Sequence, residues 1–509
     1  MKVKLSTLAI TAGGLLAILM GLLNADSTVH ARELPEKAVV IGTANGSETL
    51  FVQSIKLNRE DSTHFAFVKK RDDLMFVTID GIEGPGYQNI AKGTPFFNPD
   101  GSRYAYIAFR GEKAFMVTNG KEQPEFEGLD RALFSPDGQR LAYRVPIKKK
   151  QALVEDGRVI ATFDGIKGYP VFSPDSKHLA FIGVNEKKVF VVLNGKVIMK
   201  GLDNAKEITF SPDSKHLAFS LKRKDKWYLA KDKKISKTGY ENIQNLKFSP
   251  DSKRCIHAAQ DNNKLFYVEN DIAMTRYPAV GNLVFSPDSK RFAYAMMDKE
   301  NWRVVLDGQE GPEFTTLASL TFSPDSTRFA YSGITKKDKG VVVVVKKAQE
   351  TPELHTYDSV GVPVFSPDSK HLAFRVWTGK YWQIFYDGSL GEKYQLVRKP
   401  VFSPDSETVV YTAINSGKML MVKNGKPGPL FADVGFPWFS PDGSHMAYPA
   451  MVEEKEWHLV FDDTIQKQPF NGFLNNASIV FKDNSCQAFT LDFSEDRKVT
   501  FYKYELLLN

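Results

Sequence analysis

Three sets of residues have the types and spacing to do chemistry. Aspartates stand at 61, 100, 137, 175, 213, 251, 288, 325, 368, 405, 442 and 483, in steps of 37 to 43 residues. Recurring carboxylates are the raw material of calcium sites and acid–base pairs. Ten of these directly follow a proline. In such a turn an Asp folds back on backbone N–H groups two residues on, which is sufficient reason for its presence. One carboxylate per repeat also spreads the set around the molecule, whereas a catalytic site needs residues that differ and converge.

The second set is histidine, nine in all. His64, His178, His216, His371 and His445 each stand three residues after an anchor Asp, where Arg103, Arg140, Arg254, Arg291 and Arg328 stand in other copies. Guanidinium does not coordinate metals, so the position reads as a basic residue beside a turn carboxylate and not as a ligand. His257, His355 and His458 are isolated and read the same way. No metal or cofactor is expected. The third set is cationic: Lys148, Lys149 and Lys150; Lys187 and Lys188; Lys222, Arg223, Lys224 and Lys226; Lys336, Lys337 and Lys339. Clustered cations in a chain of net charge +7 suit an anionic partner.

The elements that position these residues follow from the repeat. Phe-Ser-Pro-Asp occurs intact nine times, beginning at Phe134, Phe172, Phe210, Phe248, Phe285, Phe322, Phe365, Phe402 and Phe439, with a near copy at Phe97. An apolar run ends at the Phe, Pro-Asp-Ser or Pro-Asp-Gly turns the chain, and Leu-Ala-Phe or Phe-Ala-Tyr continues as a half-buried strand. A third run such as Trp302 to Leu306 is turned by Asp-Gly or Asn-Gly into a fourth. A period near 38 residues filled by four short antiparallel strands predicts an all-β chain of propeller blades.

The Phe-Ser-Pro-Asp-Ser/Gly-Lys-Arg/His-Leu-Ala-Phe/Tyr unit resembles the TolB-like β-propeller repeat, a Pro-Asp relative of the WD repeat. The resemblance covers most of the chain and implies a propeller. The separate α/β domain that precedes the TolB propeller has no counterpart between Arg32 and the first anchor, so TolB's partners do not carry over.

Twelve anchors predict twelve four-stranded blades. Propellers usually hold four to eight, so two six-bladed rings in tandem are expected, over residues 32–279 and 280–509, with one large ring as the alternative. After Asp483 there is sequence for a second and a third strand but not a fourth. Ala38 to Gly42 is a spare apolar strand, expected to pair with the third strand near Lys498 to Tyr504 and close the last blade. Strand order then puts the Pro-Asp and Asp-Gly turns on one face, and on the other the loops joining second to third strand and fourth strand to the next blade; this face carries the twelve candidate cations, although Glu453-Glu454-Lys455-Glu456 breaks the trend.

Lys2 and Lys4 lead into an apolar segment from Leu5 to Leu23, and Val29-His30-Ala31 fits signal peptidase cleavage, so residues 1–31 read as a signal peptide. An uncleaved membrane anchor is the alternative. Export to the periplasm or beyond is expected, and nucleic acid is then not a natural partner. Cys255 and Cys486 occupy equivalent places in two blades and read as buried hydrophobes. Gly-x-Ser-x-Gly, His-Glu-x-x-His and Gly-rich phosphate loops are missing. The sequence therefore points to a binding or scaffold propeller that recognises a protein or an anionic glycan or cell-wall polymer. Its rival is a propeller lyase, lactonase or glycan hydrolase with a site at a channel mouth.

Overall fold

The computed structural model describes residues 36–57, 64–346, 351–474, 479–482, 484–494 and 496–508. Residues 1–31 and the anchors Asp61 and Asp483 lie outside them. Among the described residues every regular element is a β-strand, and the strands form twelve antiparallel sheets. Blade 4 is representative, with strands Gly165–Phe172, Leu179–Asn185, Lys188–Leu193 and Lys196–Leu202 in that order across the sheet. In its second and third strands side chains from both faces are buried, because each blade is covered by a neighbour on either side.

First strands of successive blades lie side by side, as Gly165–Phe172 does against Asn204–Phe210, so they are the inner strands around a central channel. In blades 2, 9, 10 and 11 this strand is broken near Pro95, Pro363, Pro400 or Pro437, since proline has no N–H to give the ladder.

Twelve buried clusters pack the blades, each joining one blade to the next. Phe163, Phe172 and Phe181 join blades 3 and 4. Ile256, Tyr267, Tyr294 and Met296 join blades 6 and 7. Phe65, Phe67, Phe489 and Phe501 join blade 12 back to blade 1. This is one closed circuit, and it corrects the expectation of two rings of six. The boundary expected at 279/280 falls between blades 6 and 7, which are packed like any other pair. The usual ring size favoured two rings, but an interface that repeats unbroken leaves no place for an early closure.

The ring closes with strands from both ends of the described chain. Glu36–Ala44 is the fourth strand of blade 12, with Ala38 opposite Tyr504, Val40 opposite Tyr502 and Gly42 opposite Phe501. The turn leading on to blade 1 is fixed by ions. Lys69, largely buried, bonds Glu48 at 3.1 Å and Glu83 at 2.8 Å, and Arg71 reaches both carboxylates. The Glu48 side chain is only 1% exposed.

Candidate functional site

The anchor aspartate side chains fasten their own turns. Asp175 Oδ1 accepts from Ser173 Oγ at 2.6 Å and from the N–H of Lys177 at 3.1 Å, and the other nine described anchors accept from the N–H two residues on in the same way. The serine hydroxyls hold several of these carboxyls below their ordinary range, Asp442 at about 2 through Ser440. Such groups stay ionised and are poor proton donors.

The serine after the Asp supplies a tie between blades that the sequence reading missed. Its Oγ accepts the anchor N–H of the preceding blade, at 2.8 or 2.9 Å, for Ser176, Ser214, Ser252, Ser289, Ser326, Ser369 and Ser406. One of these bonds, Asp251 to Ser289, crosses from blade 6 to blade 7. Each of these serines has φ between 63° and 70°, a left-handed conformation that normally favours glycine.

The Arg/His position also proves structural, with a correction of partner. His216 Nδ1 lies 2.6 Å from Asp232, His371 2.5 Å from Asp387 and His445 2.6 Å from Asp462, while Arg291 bonds Asp307 at 2.8 Å. These carboxylates belong to the turn between third and fourth strands, not to the Pro-Asp turn. Where the position holds arginine, the guanidinium lies over the anchor Phe of the next blade, Arg140 over Phe172 at 4.9 Å, Arg291 over Phe322 and Arg328 over Phe365. His257 differs, being 2% exposed with neither ring nitrogen hydrogen-bonded among the described residues. Burial pushes it down to about 4. Cys255 and Cys486 are unpaired and buried, and burial pushes the Cys255 thiol up to about 12. Among the described residues no three His, Cys, Asp or Glu side chains are grouped to hold a metal.

The twelve candidate cations sit at or beside the turns between second and third strands of blades 3, 4, 5 and 8, and the structure divides them. Lys150 faces Asp164 at 3.8 Å, Lys188 bonds Asp203 at 2.8 Å, Lys222 and Lys226 face Asp225 and Asp261, and Lys336 and Lys339 pair with Glu313 and Asp358. Asp164 and Asp203 also accept the N–H of Glu186 and Lys224 at the tip of the next blade, so they tie neighbouring blades together on this face. Lys148, Lys149, Lys187, Arg223, Lys224 and Lys337 are exposed, and their charged ends have no carboxylate partner among the described residues. The first five lie on the adjacent blades 3, 4 and 5, whereas Lys337 is alone on blade 8. The basic feature is thus an arc and not a whole face.

Loop reading missed the inner wall beneath that arc. Lys167 Nζ bonds Asn204 Oδ1 of the next blade at 2.8 Å, and Lys206 Nζ bonds Asn242 Oδ1 at 2.8 Å while lying 4.5 Å from the centre of the Trp227 ring. Lys247 bonds Asn282 at 3.2 Å and the Leu283 carbonyl at 2.7 Å. Amides and a carbonyl receive these ammoniums, and no carboxylate bonds them among the described residues. Two carboxylates stand among the first strands of blades 3 to 6: Glu207, which accepts the N–H groups of Asn245 and Leu246, and Asp130, which accepts from the Arg144 guanidinium. The available signal was Lys at a first-strand position where blades 3, 6 and 10 also carry polar residues, Asp130, Gln244 and Arg398.

The molecule is therefore a β-propeller of twelve blades closed into one ring. Solved propellers are among the structures it is similar to. A structure from Agrobacterium tumefaciens assigned as TolB matches 46% of this chain and 93% of its own, at 14% identity and a TM-score of 0.24. A Dos1 propeller matches 91% of this chain and 94% of its own, at 11% identity and a TM-score of 0.28. No family profile matches the sequence, and no curated protein does. The fold assignment rests on the strands and on the ring they close.

Proposed function

We propose that this propeller is an exported binding module that recognises an anionic partner through the tips of blades 3 to 5. The observation that carries the reading is the arc of Lys148, Lys149, Lys187, Arg223 and Lys224. The charged ends of these five exposed residues meet no carboxylate among the described residues, whereas neighbouring lysines at the same tips are spent on Asp164 and Asp203. Charges of one sign gathered on adjacent loops sum to a potential that draws an oppositely charged surface or polymer.

Export rests on Leu5 to Leu23 followed by Val29-His30-Ala31. Among the described residues no helix is long and apolar enough to cross a membrane. Mass spectrometry of the protein from its native cell is expected to find a chain beginning at Arg32 in the extracytoplasmic fraction; an intact Met1 in the cytoplasm contradicts export.

The binding reading is tested by replacing Lys148, Lys149, Lys187, Arg223 and Lys224 together by Glu. Capture of anionic cell-envelope polymers or acidic proteins is expected to be lost with the melting temperature within about 2 °C, because exposed charges contribute little to stability. Undiminished capture by the five-site variant removes the site from this arc.

A further inference from the structure

The inner wall is where the repeat departs from itself. In blades 5 to 8 the first strand carries one extra residue against its neighbour: three steps from Lys206 to Thr209 face two from Ser220 to Ala218. In blade 1 five steps from Phe51 to Lys56 face two from Val68 to Ala66. In blade 2 six steps from Ile90 to Phe96 face three from Ala108 to Ala105, and in blade 4 four from Lys167 to Val171 face two from Ile182 to Ala180. Because the first strand is innermost, these longer bulges lie against the channel. They carry exposed Val52, Lys92, Lys167 and Tyr169, with Val52 68% and Tyr169 63% exposed. Gly168, at φ 64°, makes the corner before Tyr169, and a Cβ on Gly165 or Gly168 would meet no atom within 4 Å. The blade 4 bulge therefore borders open space.

The chemistry of this wall is selective. Asn204 Oδ1 is used by Lys167 and by the N–H of Ala205 at 2.9 Å, so its NH2 end is left to donate. Asn242 is oriented the same way by Lys206. Ammonium and amide donors in a row beside a largely exposed phenol ring suit a ligand dense in anionic oxygens that also presents flat C–H faces for an aromatic ring. Acidic sugars have both. We infer that the channel wall from blade 2 to blade 6 binds an acidic oligosaccharide, with Lys92, Lys167 and Lys206 taking its anionic groups and Tyr169 lying against a sugar ring.

This inference rests on the anion recognition proposed above and adds to it the ligand class and a second location. Galacturonate and sulfated oligosaccharides, with neutral dextran and polyglutamate as comparisons, are titrated calorimetrically into the mature protein. The native protein is expected to bind at least one acidic saccharide and not dextran; a carboxylate or a sulfate preference is read from the two acidic probes. Lys92→Gln with Lys167→Gln is expected to weaken that binding by at least about tenfold, the loss of one charge-assisted hydrogen bond or more. Tyr169→Ala should weaken the saccharide severalfold and leave polyglutamate unchanged. The five-site tip variant should slow association while the channel contacts persist. Channel variants that bind as native overturn this inference and leave the tip reading standing, whereas loss of nothing in either set removes both. No saccharide binding, or polyglutamate bound as tightly and indifferent to Tyr169→Ala, overturns the saccharide class. Unchanged melting temperatures exclude misfolding as the cause of any loss.

Discussion

Ser289 shows how one side chain does two jobs in opposite senses. Its φ of 65° costs about 1 kcal/mol against glycine, and its hydroxyl returns about as much through the bond from the Asp251 N–H. Ser289→Ala keeps the strain and loses the bond; Ser289→Gly loses both. Urea unfolding is expected to place Ser289→Ala about 1 kcal/mol below native, with Ser289→Gly close to native. Equal stability of the Ala variant and the native chain contradicts the tie. The sequence made the Asp turn legible because its bonds are local. The serine bridge spans 38 residues of chain and needs the neighbouring blade in place before it can be seen.

His257 carries a pH dependence. Burial pushes its folded value to about 4, while in the unfolded chain it titrates near 6.5. Between those values the unfolded state holds more protons, so stability rises with pH through that window and is lost on acidification, by up to about 3 kcal/mol. The groups facing it are the Tyr240 ring, 6.2 Å away, and the weakly opposing charge of Asp271. Equivalent positions carry Phe181, Phe219 and Tyr294. His257→Phe should therefore remove this part of the acid lability. Denaturation curves of both proteins from pH 4 to 7 that run parallel would contradict the assignment.

At the scale of elements, the four-strand unit and the closing strand were both legible, because alternation and turn residues are written locally. The spare strand at Ala38 had only one incomplete blade to join. The lengthened inner bulges were not read: an inserted residue in a strand leaves no period to detect, and only the partner register reveals it. The closing strand yields two expectations. Removal of residues 32–44 exposes the long third strand Val499–Leu507 as an edge and is expected to lower the melting temperature and promote aggregation. Lys69→Met leaves the buried Glu48 to Arg71, itself half-exposed, and should cost about 3 kcal/mol or more in chemical unfolding. A loss under about 1 kcal/mol would show that Arg71 alone holds the joint.

The whole molecule was legible as twelve blades but not as one ring. Closure is a global property, and the even 37-residue step across residues 251 to 288 is compatible with either outcome until the faces of blades 6 and 7 are seen together. Electron-microscopic projections should show a single ring of twelve spokes, not two adjoining smaller rings. Ring count also decides what the charges can do, since a single circuit places the arc of blades 3 to 5 on one rim above the cationic inner wall. Carboxylates at Asp164, Asp203 and Glu313 neutralise much of the remaining rim, which a reading of loop lysines alone could not discount.

Anion capture by that rim is tested most directly by its association rate with an acidic polymer as a function of ionic strength. A steered encounter should slow steeply as salt passes about 0.15 M, where the screening length falls to about 8 Å. Replacing Lys148, Lys149, Lys187, Arg223 and Lys224 by Glu should flatten that dependence and reduce the rate at low salt by about tenfold or more. A native rate that does not respond to salt, or one that the five substitutions leave unchanged, contradicts recognition through the basic arc.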